Sequence, residues 1–164
     1  MSRAARHDGY HATVSAVLSW LPPALWMAVI LIWLSSDAFS AAHTGGRITA
    51  LLRWLLPSIT AAHVDHAHAL VRKAGHLTIY GILAALWLRA FVRERVLAVS
   101  AAAWAAFGIT VAWACIDELH QSTVNSRTGS VADVALDALG AAVVVILVRV
   151  RWNGRGAGGL PARF

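Results

Sequence analysis

Four long apolar runs, separated by short polar or charged stretches, make up most of this chain. They cover Thr13 to Leu34, Gly75 to Val92, Val96 to Ile116 and Val131 to about Val148. The third run holds twenty-one residues without a charged side chain, long enough for a helix to cross a bilayer. The second is polar in its first third and apolar from Ile82 onward. Runs of this length predict an all-α fold, a polytopic membrane helix bundle of about four transmembrane helices. Pro22 and Pro23 remove two ladder donors from the first run. The pair predicts a kink or break there, or a helix that starts at Pro22 with Val14 to Leu21 at the interface.

Ser35 to Arg72 is the longest connection. Gly45 and Gly46 read as a breaker. Arg47 to Leu56 predicts a short interfacial helix that Pro57 ends, with Trp54 beside Arg53 at headgroup level. His63, Asp65, His66 and His68 follow. Imidazoles three apart share a helix face, which would suit a metal. No fixed ligand spacing is present, however, and the segment reads as polar and interfacial. Arg89, Arg93, Glu94 and Arg95 form a tight charged turn before the third run.

Composition agrees with the pattern. The 164 residues are 59% hydrophobic and 13% charged, with mean hydropathy +0.63, which excludes an ordinary soluble domain. The net charge of +6 does not imply nucleic acid, because the basic residues sit in connections rather than along a stripe. The lone cysteine, Cys115, lies inside an apolar run and reads as a packing residue. Residues 1–12 resemble the basic start of a signal peptide, but no small-residue cleavage site follows, so the first run is read as a retained span. Residues 13–150 form the membrane domain and 151–164 a flexible, basic, Gly-rich tail. If four spans alternate, nine Lys and Arg fall on the side of both termini and five on the other. Positive-inside then predicts a multi-pass membrane protein with both termini cytoplasmic.

The polar residues left inside or beside the spans are the candidate chemistry. Lys73, His76 and Tyr80 fall at i, i+3 and i+7 on one helix face, with Arg72 adjacent. Asp117, Glu118, His120 and Gln121 close the third run within five positions. Arg127 follows, and Asp133, Asp137 and Gly140 lie at i, i+4 and i+7 in the fourth run. Carboxylates at membrane depth are costly unless paired or facing a polar cavity. Asp137 therefore predicts a basic partner, with Arg127, Lys73 and Arg72 as candidates. Gly140 predicts the close approach of a neighbouring helix. Ser130 and Asp133 also match a capping-box pattern for the fourth helix. These residues predict one polar site near the outer ends of spans two, three and four.

In the order R-K-x-G-H-x-x-x-Y, D-E-x-H-Q, R, S-x-x-D and D-x-x-G, the chain resembles the VanZ-like family of small bacterial membrane proteins. The matching residues are Arg72, Lys73, Gly75, His76 and Tyr80, then Asp117, Glu118, His120 and Gln121, then Arg127, Ser130, Asp133, Asp137 and Gly140. Ser35 and Ser36 resemble the family's Ser-Ser pair. Two positions depart from the pattern. Ser126 stands where Gly is common, and Asp137 where Asn often occurs. The resemblance implies kinship with an accessory component of resistance to the glycopeptide teicoplanin.

The site residues favour a protein acting on a membrane lipid or lipid-linked cell-wall precursor. Lys73 and Arg127 would hold anionic oxygens. His120 or His76 would move a proton, oriented by Asp117 or Glu118. The alternatives are a non-enzymatic interaction protein with a structural polar cluster, and a proton-coupled carrier acting as a homo-oligomer. No cofactor is identified from the sequence.

Overall fold

The computed structural model describes residues 17–34, 41–123 and 129–156. Every regular element among them is helical. α1 (Val17–Ile32) runs into a π-helical turn at Ile30–Leu34, and α2 (Ala41–Leu55), α3 (Ala61–Arg93), α4 (Val99–Ser122) and α5 (Val131–Gly156) follow. Three helices, α3, α4 and α5, are long and apolar enough to cross a membrane, and α1 is a shorter apolar helix. The N-terminal segment 1–12, the Ser35-Ser36 pair and residues 157–164 lie outside the described residues.

Several boundaries differ from expectation, each for a local reason. The first helix is already formed at Val17 and continues through Pro22 and Pro23, so it does not start at the proline pair. Membrane helices tolerate such donor losses where neighbouring groups are packed close, and both Ser19 and Pro23 are fully buried. The second helix starts at Ala41 rather than Arg47 and runs through Gly45 and Gly46. Gly45 serves packing there: a Cβ at this position would meet His68 Cε1 of α3 at 3.2 Å. The histidine-rich segment is the opening of α3, not part of a loop, because Thr60 caps the helix by accepting the His63 backbone N–H at 3.4 Å. The basic tail is helical as far as Gly156, consistent with Arg side chains favouring a helix C-terminus. Cys115 is exposed, contrary to the packing role read from its run.

The turn between α3 and α4 is as tight as the charged residues imply. Val96 N–H reaches the carbonyl of Phe91 and Arg95 N–H that of Val92, the paired bonds of a Schellman cap. Arg95 takes the left-handed position with φ 53°, where glycine is usual.

Inside the bundle, α5 packs most extensively on α3 and then on α4. The α4 surface facing its neighbours is built from small side chains: Ala102, Ala103, Ala106, Thr110 and Ala114 are all fully buried. Lipid tails are as apolar as Leu, so association of membrane helices relies on such close backbone packing. Two apolar clusters result. Leu88, the alanines and Val145 form one, and Ile30, Tyr80, Leu83 and Ala114 form the other. The first helix is fastened to α3 by Trp26 Nε1–H donating to the Ile79 carbonyl at 3.0 Å. Trp20 adds ring contacts to Trp87 and Phe91. Large apolar side chains such as Leu25, Trp104, Val143 and Ile146 are exposed on the outside.

The tightest point is Gly140. A Cβ there would lie 2.4 Å from the Leu77 carbonyl oxygen of α3, a separation that backbone atoms cannot accept without moving. The close approach expected at Gly140 is present. Gly140→Ala should lower detergent-phase stability by about 1–3 kcal/mol, the usual cost of overpacking. Gly108 has open space around its missing Cβ, and Gly108→Ala should be neutral or stabilising by up to about 1 kcal/mol. Thermal unfolding of the two variants side by side is the check, and equal melting temperatures would contradict the packing.

Candidate functional site

The polar residues of α3, α4 and α5 meet where α4 ends and α5 begins, beside the middle of α3. Two ion-pair contacts link α3 and α5: Arg72 with Asp133, and His76 Nδ1 with Asp137 Oδ1 at 2.9 Å. Both pairs are separated by 61 positions. The constant offset means that α3 and α5 run parallel, with one helical turn between rungs on each. The outer rung is half open, since the Arg72 side chain is 53% exposed. The inner one is closed: the His76 side chain is 14% exposed and that of Asp137 is not exposed at all.

The α4 helix supplies the third side. Asp117 and Gln121, one turn apart, face inward together with Glu118. Tyr80 Oη–H donates to Asp117 Oδ2 at 2.7 Å, and Gln121 Nε2–H donates to the same oxygen at 3.0 Å. Both are bonds to a charged acceptor in a buried place, the stronger class of hydrogen bond.

Glu118 alters the cap of α5. Ser130 Oγ accepts the Ala132 N–H at 3.2 Å, so Ser130 caps α5 through the second helical residue and not through Asp133 N–H as the expected capping box would. In the usual box, the residue three positions on would accept the Ser130 N–H. Here Glu118 Oε2 takes it from across the bundle at 2.7 Å. Asp133 is thereby released to pair with Arg72. Gly129 permits this, since a Cβ there would lie 2.3 Å from the Glu118 carbonyl oxygen.

Two oxygens remain over. Among the described residues, neither Glu118 Oε1 nor Asp137 Oδ2 has a hydrogen-bond partner, and both are buried. One ring nitrogen of His76 and one oxygen each of Glu118 and Asp137 lie within 4.8 Å of one another. This is where a metal could be held among the described residues. The histidines at the start of α3 are occupied separately. Nδ1 of His63 pairs with Thr60 Oγ1, Nδ1 of His66 with the Ala62 carbonyl, and Nε2 of His68 with Thr49 Oγ1.

The family model of VanZ/LLP1 matches residues 19–152, spanning every helix that builds this site. The chain belongs to the VanZ/LLP1 family. No curated protein and no solved structure matches it. Family membership and three sufficiently long apolar helices mark a membrane protein.

In this VanZ/LLP1 chain, the motif residues His76, Tyr80, Asp117, Glu118, Gln121, Asp133 and Asp137 come together at the three-helix junction. Others do not join them. Lys73 is exposed, and its side chain makes no hydrogen bond or ion pair among the described residues. The neighbouring Arg72 reaches the acidic side instead. His120 is exposed as well, on the side of α4 that carries exposed Leu119. Among the described residues, Tyr80 and Gln121 donate to Asp117. Arg127 and Ser126 lie outside the described residues. The partner that the structure gives Asp137 is His76, which was read as a proton carrier rather than as a counter-ion. Spacing could have found it, because the steps from Arg72 to His76 and from Asp133 to Asp137 are equal.

Tyr80 is 2% exposed, whereas Arg72 is half in solvent. Tyr80→Phe should therefore lower stability by about 1.5–3 kcal/mol, since it removes a buried bond to a charged group. Arg72→Ala should cost less than Tyr80→Phe, because the half-exposed guanidinium is screened and Asp133, not fully closed off, can turn to water. Chemical or thermal unfolding in one detergent compares them, and the reverse ranking would contradict the assignment of buried and open rungs.

Proposed function

We propose that this VanZ/LLP1 protein acts at its three-helix polar junction on a lipid-linked or headgroup-bearing molecule of the cell envelope. The observation that carries the reading is His76 of mid-α3, tied to Asp137 and facing Glu118, where α4 ends and α5 begins. A reacting group there is within reach of a headgroup while the lipid's chains remain beside the exposed apolar surface. When Nδ1–H donates to Asp137, Nε2 of His76 is left able to take a proton from water or a hydroxyl. Lys73 is the exposed cation on the same helix turn, suited as a point charge to an anionic oxygen. Arg127 is the second candidate for that role. The proton-handling residue of this proposal is His76; His120 is kept only as an outer residue that meets the headgroup region.

The wider arrangement belongs to the same proposal. Four spans cross the bacterial inner membrane, with α1 as the first. The second helix lies at the interface, where exposed Leu51, Trp54, Leu55 and Leu56 would meet the acyl boundary. Both termini face the cytoplasm, on the nine-to-five distribution of Lys and Arg, so the polar junction faces outward. A contribution to glycopeptide resistance would follow if the molecule acted upon were a target or neighbour of the drug.

A structural reading has one observation in its favour. The Asp117, Tyr80 and Gln121 group is buried and mutually hydrogen-bonded, as a register-fixing network would be. It accounts for those three residues and leaves the oxygens of Glu118 and Asp137 unused.

Protein extracted into native lipid particles should carry a phospholipid or polyprenyl-linked molecule. Lys73→Ala should reduce it by about tenfold, equivalent to the loss of roughly 1.4 kcal/mol of affinity. Mass spectrometry of the retained lipids is the measurement, and a profile unchanged by the substitution would refute the headgroup contact. Separately, reporter fusions after Trp152 and after Ser122 should report inside and outside respectively. An external Trp152 fusion would invert the site's orientation.

A further inference from the structure

We propose that His76, Glu118 and Asp137 form a binding site for one divalent first-row transition-metal cation, of the Zn²⁺ or Mn²⁺ kind. This goes beyond the headgroup reading and does not depend on it, because an ion joining three helices and an ion activating water would use the same ligands.

The first argument is the donor set. One imidazole nitrogen and two carboxylate oxygens, one from each of three helices, lie within 4.8 Å of one another. Metal–nitrogen and metal–oxygen bonds of about 2.0–2.2 Å place neighbouring ligand atoms about 3.0 Å apart at a right angle and about 3.4 Å apart in a tetrahedron. On binding an ion, the three atoms would close from within 4.8 Å to these separations. The imidazole favours Zn²⁺ over Mg²⁺ or Ca²⁺, which prefer all-oxygen sites, and the two carboxylates also suit Mn²⁺.

The second argument is what the bundle leaves unsatisfied. Glu118 Oε1 and Asp137 Oδ2 are buried without a hydrogen-bond partner among the described residues. An orphaned buried carboxylate oxygen is costly, and here two occur on carboxylates facing the same imidazole. Their near neighbours are already engaged. Arg72 is paired with Asp133, and Tyr80 and Gln121 donate to Asp117. A divalent cation would supply both orphans with a partner and offset the two carboxylate charges. The third argument is orientation from outside the set. Ser130 N–H fixes Glu118 Oε2, leaving Oε1 as the inward atom, as outer hydrogen bonds commonly do for metal-binding carboxylates. Three protein ligands leave further positions for water or a substrate oxygen, which would link the site to the proposed chemistry.

The test uses full-length protein carrying a tag without histidine, stripped with chelator and titrated with Co²⁺, Zn²⁺ and Mn²⁺. Wild type should bind one ion per chain. Glu118→Gln and Asp137→Asn, which keep side-chain shape, should weaken binding by about 100-fold or more, beyond what an outer-shell change usually costs. His66→Ala should bind as wild type does. Uptake well below one ion per chain by wild type, or equal affinity in the two carboxylate variants, would overturn the site. Should a variant not fold, the paramagnetic resonance of Mn²⁺ on wild type still decides. One coordinated imidazole nitrogen is expected, and none or several would refute the assignment. Lipid content of the same samples reports independently on the headgroup reading.

Discussion

Asp117, Glu118, Asp133 and Asp137 are all buried among helices whose outer surfaces are apolar, and this constraint shapes the rest of the molecule. A carboxylate placed there must find its donors within the bundle, because lipid supplies none. Each has found a different one: a phenol with an amide, a backbone N–H, a guanidinium and an imidazole. Every donor except the Gln121 amide comes from another helix or from the α4–α5 connection. The polar groups therefore set where α3, α4 and α5 sit along one another, while small residues set how closely they approach. Neither would suffice alone. Alanine faces pack at many registers, and polar pairs without close packing would leave gaps.

The helical class and the junction of three polar faces were legible from run length and from carboxylates standing in apolar sequence. Gly140 was legible for the same reason, since a glycine beside an acidic stripe signals a helix neighbour. Helix boundaries in the first half were less so. Gly45 looks like a breaker until α3 is present beside it, because only then does its missing Cβ gain a purpose. His63 to His68 look like a loop until Thr60 is recognised as a cap, an Oγ to N–H bond that run-length reasoning does not weigh.

Partner choice was harder to read than membership of the cluster. Lys73 and Arg72 are adjacent cations near the same face, and periodicity alone does not say which one meets Asp133. The equal four-residue steps on α3 and α5 resolve it, but only once the two helices are known to be parallel. His120 shows the opposite difficulty. Its neighbours Asp117, Glu118 and Gln121 all turn inward, and a histidine among them invites the same reading. The helix places it outside. The role of Glu118 in the α5 cap was beyond reach of local pattern, because Ser130 and Asp133 already formed a sufficient motif by themselves.

The matched spacing on α3 and α5 bears on how such a chain can change over time. Between the rungs, each helix has four residues per step, and Leu77 meets Gly140 just beyond the inner one. An insertion or deletion of a single residue between 72 and 76, or between 133 and 137, would rotate one rung by about 100° and leave a carboxylate without its donor. A matching change in the other helix would not restore the rung, because equal rotations about two parallel axes turn facing side chains to opposite sides. Length variation is thus tolerated in the connections and barred from two short windows that are far apart in sequence. Both windows must keep their length.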